Sequence, residues 1–193
     1  MRKLSKGAIA NIVAGVALVG ALGYYNFVDK VPQGLTVGMW CPDFTAQTYK
    51  VEGDTFSLSG TNFTLSEQRD KVCIVNFWET WCQACIEELP SFNQIQVEYG
   101  DKVEVVAVVG TTSQADFAAG WMSQKGWTAY DKQSDWANFS LTFAYLPSTV
   151  CVDLGCLGML PRTIIVDQNG IIAYAQDGSM THEQLQTIVE SLL

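Results

Sequence analysis

Apolar and polar positions fall into distinct patterns along this chain. No charged residue occurs across positions 7–28, a stretch long enough for a bilayer span, which takes roughly 20 apolar residues. Tyr24, Tyr25 and Phe27 stand at its far end, where an aromatic belt sits. Residues 71–78 (KVCIVNFW) and 103–110 (VEVVAVVG) are near-continuous apolar runs, the signature of strands covered on both faces. Residues 81–99 space Ile86, Leu89, Phe92, Ile95 and Tyr99 at helical intervals, with Pro90 expected to kink the helix.

Weaker patterns complete the reading. Residues 43–49 alternate as a strand, residues 52–54 form a turn, and residues 55–59 return as its hairpin partner. Residues 64–70 predict a helical turn. Residues 113–125 and 134–143 read as helices, and 127–130 as a short strand. Residues 145–160 have no clear period. Residues 162–166 and 171–175 make a strand pair about a turn, and Thr181 with Gln184 forms a capping box that opens a last helix. Hairpin, strand, helix, strand, helix, hairpin and helix add up to an α/β sandwich with a mixed sheet. The domains expected are a membrane segment over 1–28, a tether over 29–38 and one folded domain over 39–193.

Charge gives these segments a direction. Arg2, Lys3 and Lys6 precede the apolar run and should stay on the cytoplasmic side, which exports the body as a single-pass membrane protein. A cleaved signal peptide, with Ala21-Leu22-Gly23 as the small-residue site, is the rival reading. It exports the body equally. Net charge is −9 over 193 residues, and an acidic body argues against nucleic acid as a partner.

The chemistry concentrates at Cys82 and Cys85, which follow a buried strand and open a helix. A helix N-terminus carries partial positive charge and free N–H groups, and both stabilise a thiolate. Residues three apart share a helix face. Cys82 can therefore attack a substrate disulfide, and Cys85 can then resolve the mixed disulfide. Ile86 excludes the c-type haem pattern, which needs His there. A zinc site needs two further ligands, for which Cys151, Cys156 and His182 are the candidates. The strand-to-helix setting favours redox chemistry without metal or cofactor, and His182 reads as a surface residue.

VNFWETWCQACIEELP, residues 75–90, resembles the active-site block of the thioredoxin superfamily, and more closely the TlpA/ResA-type thiol–disulfide oxidoreductases. Pro42-Asp43-Phe44 with the hairpin after it is similar to that family's N-terminal β-hairpin addition. The segment 160–167 is similar to its cis-proline segment. The resemblance covers roughly Met39 to the C-terminus. It implies a thioredoxin-like fold and a cis Pro161 beside the cysteine pair. The backbone of Leu160 would then be free to pair with a substrate strand. It also implies a reductase of oxidised proteins, such as apocytochrome c, fed by a membrane thiol transporter. Trp78, Trp81 and Pro161 are expected to rim Cys82. Asn76 stands where thioredoxin has a buried Asp, so proton transfer falls to Glu79 or Glu88.

The other cysteines, Cys41, Cys73, Cys151 and Cys156, allow three pairings. Cys151 with Cys156 is locally simplest, which leaves Cys41 to tie the tether to Cys73, although Cys73 also fits a buried small hydrophobe. A second redox pair at Cys151 and Cys156 is a sharper alternative. An exported oxidase or isomerase, and a structural or metal-binding domain, are the competing functions. A peroxidase of the peroxiredoxin type needs Thr three residues before its cysteine, where this chain has Glu79.

Overall fold

The computed structural model describes residues 33–52, 55–110, 139–155 and 158–193. All of these from Gly34 onward belong to the compact unit Gly34–Leu193. The segment proposed to lie in the membrane, the expected elements at 113–125 and 127–130, and Cys156 fall outside the described residues.

Seven described strands form one mixed sheet in the order β2-β1-β5-β4-β3-β6-β7. They are β1 (Thr45–Glu52), β2 (Thr55–Thr64), β3 (Val72–Phe77), β4 (Val103–Val109), β5 (Thr142–Tyr145), β6 (Arg162–Val166) and β7 (Ile172–Asp177). β3, β4 and β5 run parallel, and β1, β6 and β7 pair antiparallel with their neighbours. Three described helices accompany the sheet: α1 (Gln83–Tyr99), α2 (Ser148–Asp153) and α3 (His182–Leu192).

Side chains alternate across a strand, so the apolar run of β3 feeds two cores. Val72 and Ile74 join Leu89, Phe92 and Ile95 of α1 and Leu185 and Val189 of α3 on one face. Cys73, Val75 and Phe77 join Val106, Val108, Ile164 and Val166 on the other. This double burial explains why β3 and β4 carry almost no polar residue.

The hairpin, the two apolar strands, the long helix and the capping box follow the sequence pattern. Thr181 accepts the Gln184 N–H while the Gln184 side chain reaches back to the Thr181 N–H. α1 runs as one element with Pro90 inside it. Two details differ. Thr142 and Phe143, expected at the end of a helix, belong to β5, where parallel pairing with β4 overrides the helical spacing. The aperiodic stretch holds a short helix, α2. On the tether, Gly38 N–H donates to Ile172 O at 2.8 Å and Trp40 bridges Ile171, so its last residues extend the sheet edge.

Cys41 and Cys73 are free thiols, both buried, so the tie expected between them is not formed. Both sit in the apolar cluster on the face opposite α1. Burial pushes the Cys41 thiol up to about 12 and raises Cys73 as well. Each behaves as a small hydrophobe. Cys151 is disulfide-bonded. His182 opens α3 and pairs with Glu98 of α1 at 2.9 Å on the surface. No group of three metal-ligating residues occurs among the described residues.

Candidate active site

β3 delivers the chain to one end of the sheet, and α1 starts there. Cys82 is the N-cap of α1: its backbone is extended and its sulfur accepts the Cys85 N–H at 3.2 Å. Cys82 and Cys85 form a disulfide, with Cα atoms 5.3 Å apart. Cys82 is 8% exposed and Cys85 not at all. The asymmetry assigns the roles. Only Cys82 can meet a partner, and its sulfur already faces a helix N–H that would stabilise a thiolate.

The rim is narrower than expected. Trp81 is exposed beside Cys82, but Trp78 is buried in the core that holds both cysteines. A strand residue followed by a tight turn keeps the parity of β3, which turns Trp78 inward. The Leu160–Pro161 bond is cis, as the resemblance implies. Leu160 is half-buried against both cores, and Met159 before it is exposed.

Below the disulfide lies a buried polar cluster. Asn76 on β3 donates to Glu88 Oε1 at 2.8 Å and to Thr163 Oγ1 at 3.3 Å. Met180 N–H donates to Glu88 Oε2 at 2.9 Å. Glu88 lies three residues after Cys85 on α1, on the same face. Burial raises its carboxyl to about 7, against the opposing pull of the Met180 and Asn76 hydrogen bonds. Asn76 Oδ1 is buried without a partner. A half-turn of that amide would offer this oxygen to a protonated Glu88, so the pair can hold either protonation state.

Glu79 is also buried, but on another side. Its Oε1 accepts the Gly110 N–H at 3.0 Å, and its carbonyl accepts the Cys82 N–H at 3.0 Å. The structure therefore separates the two proton-transfer candidates: Glu88 lies behind Cys85, and Glu79 bears on the Cys82 side. Thr163, Met180 and Gly110 were not singled out in the sequence. A polar residue inside the apolar strand RTIIV was the available signal for Thr163. Nothing local marked the other two.

A dithiol–disulfide centre at the start of a helix, with a cis proline leading into a strand of the same mixed sheet, defines a thioredoxin-fold redox protein. The family model for the AhpC/TSA family matches residues 37–175, and the chain belongs to that family, within which it carries the dithiol of a thiol–disulfide oxidoreductase. It is 30% identical to the thioredoxin-like protein YneN of Bacillus subtilis (strain 168), over 90% of this chain and 94% of the relative. It is 26% identical to the thiol-disulfide oxidoreductase ResA of Geobacillus thermodenitrificans (strain NG80-2), over 100% of this chain and 99% of the relative. Among solved structures it is similar to the pneumococcal exposed lipoprotein thioredoxin Etrx1 of Streptococcus pneumoniae strain TIGR4. That match has a TM-score of 0.58 and 23% identity, and covers 78% of this chain and 100% of the other.

Proposed function

We propose that this oxidoreductase reduces disulfides of exported proteins, with its N-terminal segment holding the catalytic domain on the outer side of the cell membrane. One observation carries the mechanism: Cys82 caps α1 at the protein surface while Cys85 is sealed behind it. In the reduced state the Cys82 thiolate attacks a substrate disulfide. The new sulfur–sulfur bond is a mixed disulfide, and one substrate sulfur leaves as thiolate. Cys85 then loses its proton, attacks Cys82, and releases the second substrate sulfur. The substrate is reduced by two electrons, and Cys82–Cys85 is left as the disulfide.

Glu88 is the group suited to take the Cys85 proton, since its carboxyl titrates near neutral pH. Trp81 is the exposed docking rim, the cis Pro161 expected there being buried, and the Leu160 backbone before it offers a partner to an extended substrate strand. A membrane thiol transporter is the electron donor that returns Cys82–Cys85 to the dithiol. Apocytochrome c is the client class that the ResA-type resemblance implies. Export rests on the basic cap and uncharged run of residues 1–28. Among the described residues no helix is long and apolar enough to cross a membrane. The expected Cys151–Cys156 bond accords with the bonded state of Cys151.

The test is the reduction potential of Cys82–Cys85. A value near that of thioredoxin, about −270 mV, supports a reductase. A value near that of DsbA, about −120 mV, would reverse the proposed electron flow and make the chain an oxidase.

A further inference from the structure

Glu79 is 2% exposed, although it lies in the bend between β3 and α1, where solvent is close. One residue there ties three parts of the fold. Its backbone leaves β3, its carbonyl holds the N–H of the α1 cap residue Cys82, and its carboxyl holds the N–H of Gly110, the first residue past β4. Gly110 is also closely approached by Cys151. A methyl group placed on it would clash with the Cys151 sulfur and lie 3.0 Å from the Cys151 Cβ. Position 110 thus needs glycine for room. The sulfur is held there by the disulfide of Cys151 and by α2, where Cys151 N–H donates to Pro147 O at 3.0 Å. The stretch before α2 is docked on β4 through Leu146 N–H to Val109 O at 2.9 Å.

We propose that Glu79 is a positioning residue for the Cys82–Cys85 pair, and that the Cys151 sulfur is the stop that keeps it in place. Contact runs without a gap from that sulfur to the Gly110 backbone, to the Glu79 carboxyl, and through the Glu79 carbonyl to Cys82. The electrostatic consequence has a sign. A negative charge on the residue that leads into the α1 cap disfavours a second one on Cys82. It destabilises the reduced state, which makes the pair a stronger reductant.

This inference rests on the redox function proposed above. The experiment is a double-mutant cycle read as the glutathione equilibrium of the Cys82–Cys85 pair. The alkylated peptide holding both cysteines is followed by mass spectrometry. Glu79→Gln keeps size and an acceptor oxygen but removes the charge. It is expected to shift the equilibrium about tenfold toward the dithiol, equivalent to about 30 mV. Cys151→Ala is expected to shift it by threefold or more in the native background and to add nothing to Glu79→Gln. No shift in Glu79→Gln overturns the proposal. So does a Cys151→Ala shift that is absent, or that persists undiminished beside Glu79→Gln. Cys151→Ser replaces the alanine variant if that chain does not unfold cooperatively. A native pair that never equilibrates with glutathione sinks the redox function itself, whereas a pair that equilibrates but ignores Glu79 sinks only the positioning role.

Discussion

Glu88 shows what one buried carboxyl contributes. Its pKa near 7 lies above the ordinary 4.5, so the folded state binds this proton more tightly than the unfolded chain. The associated stability is fully present below about pH 4.5 and is lost as pH rises to about 7. The loss amounts to roughly 3 kcal/mol. Urea titrations at pH 4.5 and 7.5 should show it, and the Glu88→Gln chain, which cannot ionise, should not. The same substitution tests proton transfer. Release of substrate from the mixed disulfide should slow roughly a hundredfold at pH 7, with loss of the inflection near neutral pH. Unchanged stopped-flow rates would remove Glu88 from the mechanism. At this scale the two cysteines were legible, because Trp81-Cys82-Gln83-Ala84-Cys85 is a local motif. The partners of Glu88 were not. Met180 is 92 residues away in sequence, and no local pattern encodes that meeting.

Elements differ in how much the sequence says about them. β3 and β4 are buried on both faces, so their apolar runs were unmistakable. β5 has four residues, only two of them buried, and its place is set by pairing with β4 and β1. β2 runs five residues beyond the hairpin arm expected, to Thr64, because Ser59, Gly60, Thr61 and Asn62 look like a loop. There the hydroxyls of Thr48, Ser59 and Thr61 bond one another at 2.5 to 2.7 Å across the β1 irregularity. α3 tests the capping argument. Thr181→Ala removes an N-cap acceptor and should cost about 1 kcal/mol in denaturant unfolding. Leu89, with no exposure and contacts on the α1 face, should cost 2–5 kcal/mol when truncated to Ala, roughly as other core leucines do. A near-neutral result would mean that this core is loosely packed.

At the scale of the whole molecule, the catalytic end is defined by topology. Trp78–Glu79 and Gly110 follow the ends of the parallel strands β3 and β4, and the antiparallel β6 begins opposite the end of β3, just after the cis proline, so loops from three strands meet at the end that carries Cys82. The converging loops belong to the unit Gly34–Leu193. A chain starting at Gly34 should therefore fold and reduce insulin in the presence of dithiothreitol as fast as the full chain. The full chain should sediment with membranes and the shortened one should not. Equal distribution of the two would remove the anchoring role from residues 1–28. That segment was the clearest hydropathy signal in the sequence. The second disulfide was less clear, since irregular loops record no period.

Cys41 and Cys73 give the native chain a hidden liability. Folded, they are silent, being buried and hard to ionise. Unfolded, each recovers an ordinary thiol pKa near 8.5, in the same chain as two disulfide-bonded sites. Thiol exchange inside the unfolded chain then competes with refolding. Heat denaturation should be reversible at pH 4, where thiolate is scarce, and should scramble the disulfides at pH 8.5. Packing here acts as a chemical protecting group: as long as the core is closed, the redox reactivity of this molecule is confined to one sulfur.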